Sequence, residues 1–278
     1  MIDLHKAIHP LIDLAINEDL NTGDITSNAI FNKDNTTRAL LLSKDTGVFC
    51  GSEIIKVLYS YFNENISISQ FIRDGDTILP GDKIAEIKGN TISVLSGERI
   101  LLNFIQRLSG IASKTRKIVS LIQNTNIKIL DTRKTLPGYR ILDKFAVKTG
   151  GGTNHRMGLF DMIMIKDNHI KAAGSITNAV NKCKNIYGSS FTIEVETTNL
   201  TEVEEAITSK ADIIMLDNMN KDTMKKAITI INKKAKIEVS GNMDEEKINH
   251  IKDLEIDFIS IGALTHSVKA FDISMKFE

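Results

Sequence analysis

The second half of the chain alternates short apolar segments with segments of helical periodicity, and this alternation restricts the possible folds more than any other feature. The apolar segments are Ile127 to Leu130, Met162 to Ile165, Phe191 to Val195, Ile213 to Leu216, Ile237 to Val239 and Phe258 to Ile261. The helical patterns between the later ones are Leu200 to Thr208, Met224 to Lys233 and Glu245 to Leu254. Alternating strands and helices pair in parallel as βαβ units. The sequence therefore predicts a β/α barrel; a doubly wound sheet is the alternative, but no Gly-x-Gly-x-x-Gly follows a strand.

Polar residues and glycines follow the ends of these predicted strands. They are Arg133, Lys134, Lys166, Glu196, Asp217, Ser240, Gly241 and Gly262. In a β/α barrel the carboxyl ends of the strands carry the chemistry. A single polar residue at a strand end is common on a solvated surface, but a set that converges on one rim predicts an active site.

The segment from residue 131 to residue 171 is locally basic. It holds eight Lys and Arg residues against four Asp and Glu residues, in a chain with 35 of each class. The eight cations are Arg133, Lys134, Arg140, Lys144, Lys148, Arg156, Lys166 and Lys171. The segment also contains Gly150-Gly151-Gly152, followed by Asn154-His155-Arg156. Guanidinium groups bind carboxylates and phosphates bidentately, and glycines let backbone approach a ligand closely. We interpret the segment as a pocket for a small polyanion.

Two carboxylates and two glycine turns suit a phosphorylated partner for this pocket. Glu196 and Asp217 end neighbouring predicted strands and could hold a ribose or Mg²⁺, which binds one or two carboxylates together with substrate phosphates. Glu194 faces the same side as Glu196, and either residue alone is more typical of an exterior face. The turns are Ser240-Gly241-Asn242 and Ile261-Gly262-Ala263, with Thr265 and His266 just behind the second. The last two strand–helix loops of a β/α barrel often form a phosphate site.

The first part of the chain predicts an α+β domain without chemistry of its own. Its patterns indicate a helix over residues 3–17, strands within 36–49 and 66–92, and a helix between the two strand groups. A long amphipathic helix follows over residues 94–122, either continuous or broken near Ser109-Gly110. Spacing alone makes Arg99, near the start of this helix, an exposed helix charge.

The composition excludes several classes of protein. The balance of 35 basic and 35 acidic residues does not favour a general nucleic-acid or anionic-membrane partner. Two cysteines, Cys50 and Cys183, indicate a reducing compartment, and no Cys/His cluster has zinc spacing. The acidic N-terminus is unlike a secretory signal, and no apolar run approaches the length of a spanning helix. We predict a cytoplasmic protein.

Three ordered motifs carry a resemblance to a known family. They are Asp131-Thr132-Arg133-Lys134-Thr135-Leu136-Pro137-Gly138, Lys148-Thr149-Gly150-Gly151-Gly152-Thr153-Asn154-His155-Arg156 and Ile165-Lys166-Asp167-Asn168-His169. The chain resembles the quinolinate phosphoribosyltransferase family (nicotinate-nucleotide pyrophosphorylase, carboxylating) from Glu18-Asp19 to its last residues. The resemblance implies an open seven-stranded β/α barrel over residues 109–266. It also implies an N-terminal α+β sandwich over residues 1–108, to which about residues 267–278 return.

The resemblance also implies an activity and a role for individual residues. Phosphoribosyl pyrophosphate would react with quinolinate, with Mg²⁺ present, to give nicotinate mononucleotide, pyrophosphate and CO₂ in de novo NAD synthesis. The implied quinolinate ligands are Arg99, Thr132, Arg133, His155, Arg156 and Lys166. The implied phosphoribosyl pyrophosphate ligands are Lys134, Glu196, Asp217, Ser240, Gly241, Asn242, Ile261, Gly262, Ala263 and His266. Lys134, Lys166, Glu196 and Asp217 would be catalytic, with Glu196 and Asp217 holding the metal directly or through water. Arg99 would enter the site of the partner subunit of a homodimer, and a larger assembly such as a hexamer stays open.

Three alternative functions remain open at this point. A family paralogue could act on another acidic substrate. Lys166, which follows the apolar run Met162 to Ile165, could instead be the desolvated amine of a Schiff-base aldolase or decarboxylase. A Schiff-base enzyme, however, requires neither the glycine-rich motif nor the paired phosphate turns. The third alternative is a metabolite-binding protein without catalysis.

Overall fold

A computed structural model describes residues 4–62 and 65–278 of the 278-residue chain. The chain divides into two compact units. The first comprises Met1–Arg116, Thr135–Gly151 and Ser267–Glu278, and the second comprises Lys117–Lys134 and Gly152–His266. The predicted domain boundary at residues 108/109 stays a prediction. Within the described ranges, no helix combines the length and the apolar character needed to cross a membrane.

Strands and helices alternate along most of the chain. The strands are β1 Thr36–Ser43, β2 Gly47–Val48, β3 Ser67–Gln70, β4 Thr77–Ile78, β5 Lys83–Asn90, β6 Lys128–Leu130, β7 Ile163–Ile165, β8 Ile193–Thr197, β9 Ile213–Asp217, β10 Lys236–Ser240, β11 Phe258–Ser260 and β12 Ile273–Phe277. The helices are α1 Leu4–Asp19, α2 Ile25–Ile30, α3 Ser52–Ser60, α4 Thr91–Ser120, α5 Arg140–Thr149, α6 Asp167–Ala173, α7 Ile176–Tyr187, α8 Leu200–Thr208, α9 Lys221–Ile231, α10 Glu245–Ile251 and α11 Ala263–His266.

The first unit contains an antiparallel sheet with the strand order β12-β1-β5-β3. Its C-terminal strand β12 pairs with β1, so the last residues of the chain belong to this sheet. The long helix predicted over residues 94–122 is continuous as α4 and has no break at Ser109-Gly110. A Cβ atom on Gly110 would collide with the carbonyl oxygen of Lys269. This glycine therefore permits close backbone packing within the helix rather than interrupting it.

The second unit is built on a parallel six-stranded sheet with the order β6-β11-β10-β9-β8-β7. All six strands predicted from the apolar segments are present, and helices α6 to α11 follow them. The strands are largely apolar because a parallel sheet is covered on both faces, although β8 and β10 include Glu194 and Glu238. This confirms the predicted α/β class with an additional α+β portion.

A single bridged residue lies where a seventh strand would extend this sheet. Thr153 forms an isolated parallel bridge with Leu130 on the edge of β6 that does not face β11. The backbone N–H of Thr153 donates to the carbonyl of Ile129, and the N–H of Asp131 donates to the carbonyl of Thr153. The sheet is therefore open between β6 and β7, with Thr153 beside the free edge of β6.

Helix α5 shows that the basic segment from residue 131 to 171 is not one structural feature. This helix, with Arg140, Lys144 and Lys148, belongs to the first unit. There Arg107 donates two hydrogen bonds to the buried carboxylate of Asp143, at 3.0 and 2.8 Å. These three cations do not line the cavity described below, so the interpretation of the whole segment as a pocket was too broad.

The triple glycine also has a packing role in the first unit. A Cβ atom on Gly150 would collide with the carbonyl oxygen of Ala112 and the side chain of Thr115, both on α4. Gly151 adopts a positive φ of 94° at the end of α5. None of the three glycines lines the described cavity. Gly150 therefore permits close contact between α5 and α4.

Candidate active site

A cavity of about 630 Å³ lies at the carboxyl ends of the parallel strands. All of its walls come from the second unit. The lining residues are Thr132, Arg133, Lys134, His155, Arg156, Met164, Lys166, Glu196, Met215, Asp217, Asn218, Glu238, Ser240, Gly241, Asn242, Met243, Ser260, Gly262, Ala263 and His266. This is the edge at which β/α barrels carry their functional groups. The volume lies within the range of small-molecule sites.

One wall of the cavity concentrates positive charge. Arg133, Arg156 and Lys166 all face it. Burial, together with the neighbouring guanidinium of Arg133, lowers the pKa of Arg156. The buried Nε donor of Arg133 has no hydrogen-bond acceptor among the residues that the structure describes. A buried donor without an acceptor is costly, so this wall is prepared for an anionic ligand.

The segment that carries His155 is fixed by a buried aspartate. Asp131, at the end of β6, is fully buried. Its Oδ1 accepts a hydrogen bond from the backbone N–H of His155 at 2.8 Å, and its Oδ2 accepts from the Asn154 side chain at 2.6 Å. The first and second motifs of the sequence are therefore joined by hydrogen bonds at the cavity. On the following residue, the guanidinium of Arg156 donates to the carbonyl of Met162 at 3.1 Å.

The floor of the cavity contains a buried cluster of one histidine and two glutamates. His155 Nε2 lies 3.1 Å from Glu194 Oε2 and 3.5 Å from Glu238 Oε2. Burial lowers the pKa of His155, but the two carboxylates outweigh it and raise the pKa to about 9. Burial raises the pKa of Glu194 to about 6. The expectation of an exterior face was wrong for Glu194, because its strand is covered on both sides.

Two carboxylates face the cavity from adjacent strands. Lys166 Nζ lies 2.6 Å from Glu196 Oε2, and the side-chain amide of Asn218 donates to Asp217 Oδ2 at 2.7 Å. Glu196 is only partly exposed, with 17% of its side-chain surface accessible. Mg²⁺ prefers oxygen ligands and uses one or two carboxylates with substrate phosphates and water. The donor set of Glu196 and Asp217 therefore fits this ion.

The first glycine turn follows β10 and has an unusual backbone. Gly241 has φ 108° and Asn242 has φ 47°. A Cβ atom on Gly241 would collide with the side chain of Asn218. Asp244 caps helix α10 by accepting from the backbone N–H of Lys247 at 2.8 Å. Asp244 behind this turn thus stabilises the start of α10. The turn itself faces the cavity.

The second glycine turn places Gly262 against the side chains of Lys134 and His266. A Cβ atom on Gly262 would lie 3.0 Å from the His266 ring and 3.1 Å from Lys134 Cδ. The hydroxyl of Thr265 donates to the carbonyl of Lys134 at 2.7 Å. These contacts place the Lys134 stem beside the turn that the sequence predicts to bind phosphate.

The structure brings together most of the residues predicted for the site. Two of them do not line the cavity. Ile261 is buried, and its N–H donates to the carbonyl of Leu130 at 2.9 Å. Arg99 is exposed on α4 in the first unit. The sequence interpretation also missed lining residues, namely Met164, Met215, Asn218, Glu238, Met243 and Ser260. Glu238 lies inside an apolar strand pattern, and its spacing of two residues before Ser240 was the available signal.

Comparison with known proteins places both portions of the chain in one family. The family described as "Quinolinate phosphoribosyl transferase, N-terminal domain" matches residues 24–109. The one described as "Quinolinate phosphoribosyl transferase, C-terminal domain" matches residues 111–276.

Individual relatives match over nearly the whole chain. The probable nicotinate-nucleotide pyrophosphorylase [carboxylating] of Bacillus subtilis is 45% identical, covering 98% of this chain and 93% of the relative. The chloroplastic nicotinate-nucleotide pyrophosphorylase [carboxylating] of Arabidopsis thaliana is 41% identical, covering 96% and 82%. The crystal structure of NadC from Streptococcus pyogenes has a TM-score of 0.95 and 40% identity, covering 99% of this chain and 98% of that chain.

Proposed function

The chain belongs to the quinolinate phosphoribosyl transferase family, and from this we propose that it transfers the phosphoribosyl group of phosphoribosyl pyrophosphate to quinolinate with loss of CO₂. The products are nicotinate mononucleotide, pyrophosphate and CO₂. The enzyme is therefore a pentosyltransferase of de novo NAD synthesis.

One observation carries the proposal most directly. The buried Arg133 Nε donor lacks an acceptor in the described part of the chain, and Arg156 and Lys166 face the same cavity. Three positive groups around one cavity suit a compact dicarboxylate, since guanidinium groups bind carboxylates with two parallel hydrogen bonds. Thr132 lines the same wall, where its hydroxyl accepts from the N–H of Lys134 at 3.1 Å.

The phosphoribosyl donor occupies the other side of the cavity in this proposal. Its 5′-phosphate lies against the turn Ser240-Gly241-Asn242 and against Gly262-Ala263 of the second turn, where glycine leaves the backbone open to a phosphate. The N–H of Ile261 takes no part, because it donates to the carbonyl of Leu130. Lys134 and His266 flank the second turn and supply positive charge to phosphate oxygens. Asp217 and Glu196 accept hydrogen bonds from the ribose hydroxyls. Both substrates then meet within one cavity, as a bimolecular reaction requires.

Glu196 and Asp217 would also hold Mg²⁺, either directly or through water. When bound, the ion supplies charge neutralisation for the departing pyrophosphate. The chain itself contributes the cationic Lys134 near the same phosphates. It also keeps Asp217 oriented through the hydrogen bond from Asn218.

The reaction proceeds in two steps and forms two bonds while breaking two. The lone pair of the quinolinate ring nitrogen attacks C1′, while the C1′–oxygen bond breaks and its electron pair leaves with pyrophosphate. The transition state has oxocarbenium character, as in other glycosyl transfers. The bond between C2 and its carboxylate then breaks, CO₂ leaves, and a proton replaces it on C2. The quaternary ring nitrogen accepts electron density at that carbon, so the protein's task is positioning and charge stabilisation.

The proposal includes a shared site in a homodimer. Arg99 is an exposed arginine on the long helix α4. We assign it to the quinolinate of the partner subunit, which adds a further guanidinium to a site for two carboxylates. We place the activity in the cytoplasm, where the free thiols Cys50 and Cys183 remain reduced.

The Schiff-base alternative is less compatible with the geometry. A lysine that attacks a carbonyl must be an unprotonated amine in an apolar setting. Lys166 instead has its amino group 2.6 Å from the Glu196 carboxylate. Borohydride trapping would have to label Lys166 for that mechanism to hold.

The test is a turnover assay with phosphoribosyl pyrophosphate and Mg²⁺, in which quinolinate and nicotinate are offered separately. Nicotinate mononucleotide formed from quinolinate alone is the expected result. Product from nicotinate alone would contradict the proposal and assign the chain to a non-decarboxylating reaction. Product from neither acid would direct the search to other acidic heterocycles.

A further inference from the structure

Two buried glutamates, Glu194 beside the cavity and Glu238 in its lining, are not explained by the proposed roles. Glu194 and Glu238 are both fully buried. Among the described residues, the ion-pair partner of both carboxylates is the single ring of His155. Burying two carboxylates around one imidazole is unfavourable, so such residues persist where they serve the site.

We infer that Glu194 and Glu238 are positioning residues, which hold the His155 ring from below and thereby fix the quinolinate-binding segment His155-Arg156. This inference rests on the proposed function, because it concerns how the same quinolinate site is built. It assigns a role to two residues that are not among the predicted substrate ligands.

The strand register supports a common role for the two glutamates. Glu194 lies two residues before Glu196 on β8, and Glu238 lies two residues before Ser240 on β10. Residues two apart on a strand face the same side. Each strand therefore carries a ligand-facing residue at its end and a buried carboxylate directly beneath it.

The distances show where these carboxylates act. His155 Nε2 lies 3.1 Å from Glu194 and 3.5 Å from Glu238, and only 7% of the His155 side chain is exposed. The backbone N–H of the same residue is held by Asp131 at 2.8 Å. His155 is thus fixed at two points, by Asp131 at the backbone and by the glutamates at the ring.

Fixing His155 has a consequence for its neighbour. Arg156 follows directly in the chain, and its guanidinium must meet a substrate carboxylate within a narrow range of angles. Functional groups bind well when a surrounding shell restricts their rotamers, and displacements near 1 Å are damaging. Loss of either glutamate should therefore weaken quinolinate binding while leaving the phosphate turns intact.

The experiment uses the isosteric variants Glu194→Gln and Glu238→Gln in the full-length protein. The dissociation constant for quinolinate is measured by calorimetry, and the one for phosphoribosyl pyrophosphate is measured separately. We expect each variant to weaken quinolinate binding about tenfold or more, with no change for phosphoribosyl pyrophosphate. In turnover, the KM for quinolinate should rise while the KM for phosphoribosyl pyrophosphate stays constant.

A double-mutant cycle distinguishes positioning through His155 from a general structural effect. In a His155→Ala background, Glu238→Gln should cause little further loss of quinolinate binding, because the ring through which it acts is absent. A loss that is the same in both backgrounds would overturn the inference. Binding by both glutamine variants equal to that of the unaltered protein would overturn it as well.

Two aspartates, which directly precede the neighbouring strands β9 and β11, provide matched controls. Asp212 accepts from the backbone N–H of Ile193 at 2.8 Å, and Asp257 accepts from that of Ile237 at 2.8 Å. Asp212→Asn and Asp257→Asn make the same acid-to-amide change at residues that hold the backbone just before Glu194 and Glu238, and neither aspartate lines the cavity. They should lower thermal stability without weakening quinolinate binding. If they weaken it as much as the glutamine variants do, the effect is one of folding and the inference fails.

The outcomes also separate this inference from the proposed function. If the unaltered protein neither binds nor converts quinolinate, the proposed function fails, and with it the premise. If the unaltered protein turns over quinolinate and the glutamine variants match it, only the positioning role fails. Should Glu194→Gln not fold, the cycle with Glu238→Gln still decides the question.

Discussion

Lys166 Nζ and Glu196 Oε2 lie 2.6 Å apart across the neighbouring strands β7 and β8. Lys166 belongs to the cationic wall, and Glu196 is one of the two carboxylates that face the proposed phosphoribosyl donor. The ion pair therefore joins the two proposed substrate subsites. Each partner limits the positions that the other can adopt before the substrates bind.

This ion pair predicts that Lys166→Met and Glu196→Gln are not additive. Each change should lower kcat/KM strongly, but the double variant should lose less than the product of the two single effects. The reason is that removing one partner leaves a partly buried charge uncompensated, and this penalty disappears when both are removed. Kinetics of the four proteins measure the coupling. Lys171→Met is the control, since its pair with Asp167 is exposed at 3.8 Å; full additivity at the first pair would contradict the prediction.

Gly241→Ala should weaken phosphate binding by more than its loss of folding stability accounts for. Its φ of 108° disfavours any side chain, and a Cβ atom would also collide with Asn218, which holds Asp217. We expect a rise in the KM for phosphoribosyl pyrophosphate of about tenfold or more. Gly174→Ala is the matched control, because its φ is 90° and its Cβ atom would have room. That variant should lose about 1 kcal/mol of stability with normal kinetics; equal kinetic defects would refute the role of the turn.

The pH dependence of stability should depend on His155. Its pKa is raised to about 9 in the folded protein, from about 6.5 in an unfolded chain. The stabilisation is therefore complete below about pH 6.5 and is lost as the pH rises through about 9, with a limit of about 3 kcal/mol. Urea unfolding at a series of pH values should show a smaller decline between these limits for His155→Gln. A parallel decline in both proteins would exclude the pairing of His155 with the glutamates.

A shared active site predicts rescue between two inactive variants. Arg99→Ala and Arg133→Ala should each be nearly inactive, while a mixture should form hybrid dimers with one intact site. At equal amounts, random exchange gives about a quarter of the normal number of sites. Activity is measured after mixing and again for each variant alone. Absence of rescue, with exchange of subunits demonstrated, would count against Arg99 acting across an interface.

The sequence predicts the barrel well because its strands are short apolar runs with polar ends. The run Ile213 to Leu216 before Asp217 is one example, and it became β9 with Asp217 at the cavity. Periodicity also found helix α4, although Gly110 suggested a break that does not exist. That glycine serves a close approach of backbone, which periodicity does not reveal.

The remaining features depend on tertiary contacts. Glu238 was missed because a single acid within an apolar strand resembles a surface position until the opposite face is known to be covered. Helix α5 carries three cations of the basic segment into the first unit, where Asp143 pairs with Arg107. Residues that are close in the basic segment of the sequence therefore do not all line the cavity.

The most direct test of the central claim uses quinolinate labelled with ¹³C in its 2-carboxylate. The purified protein, phosphoribosyl pyrophosphate and Mg²⁺ are mixed with it, and CO₂, pyrophosphate and the nucleotide are quantified together. The account predicts equal amounts of the three products, with the label entirely in CO₂. Label retained in the nucleotide, or CO₂ released without pyrophosphate, would contradict it.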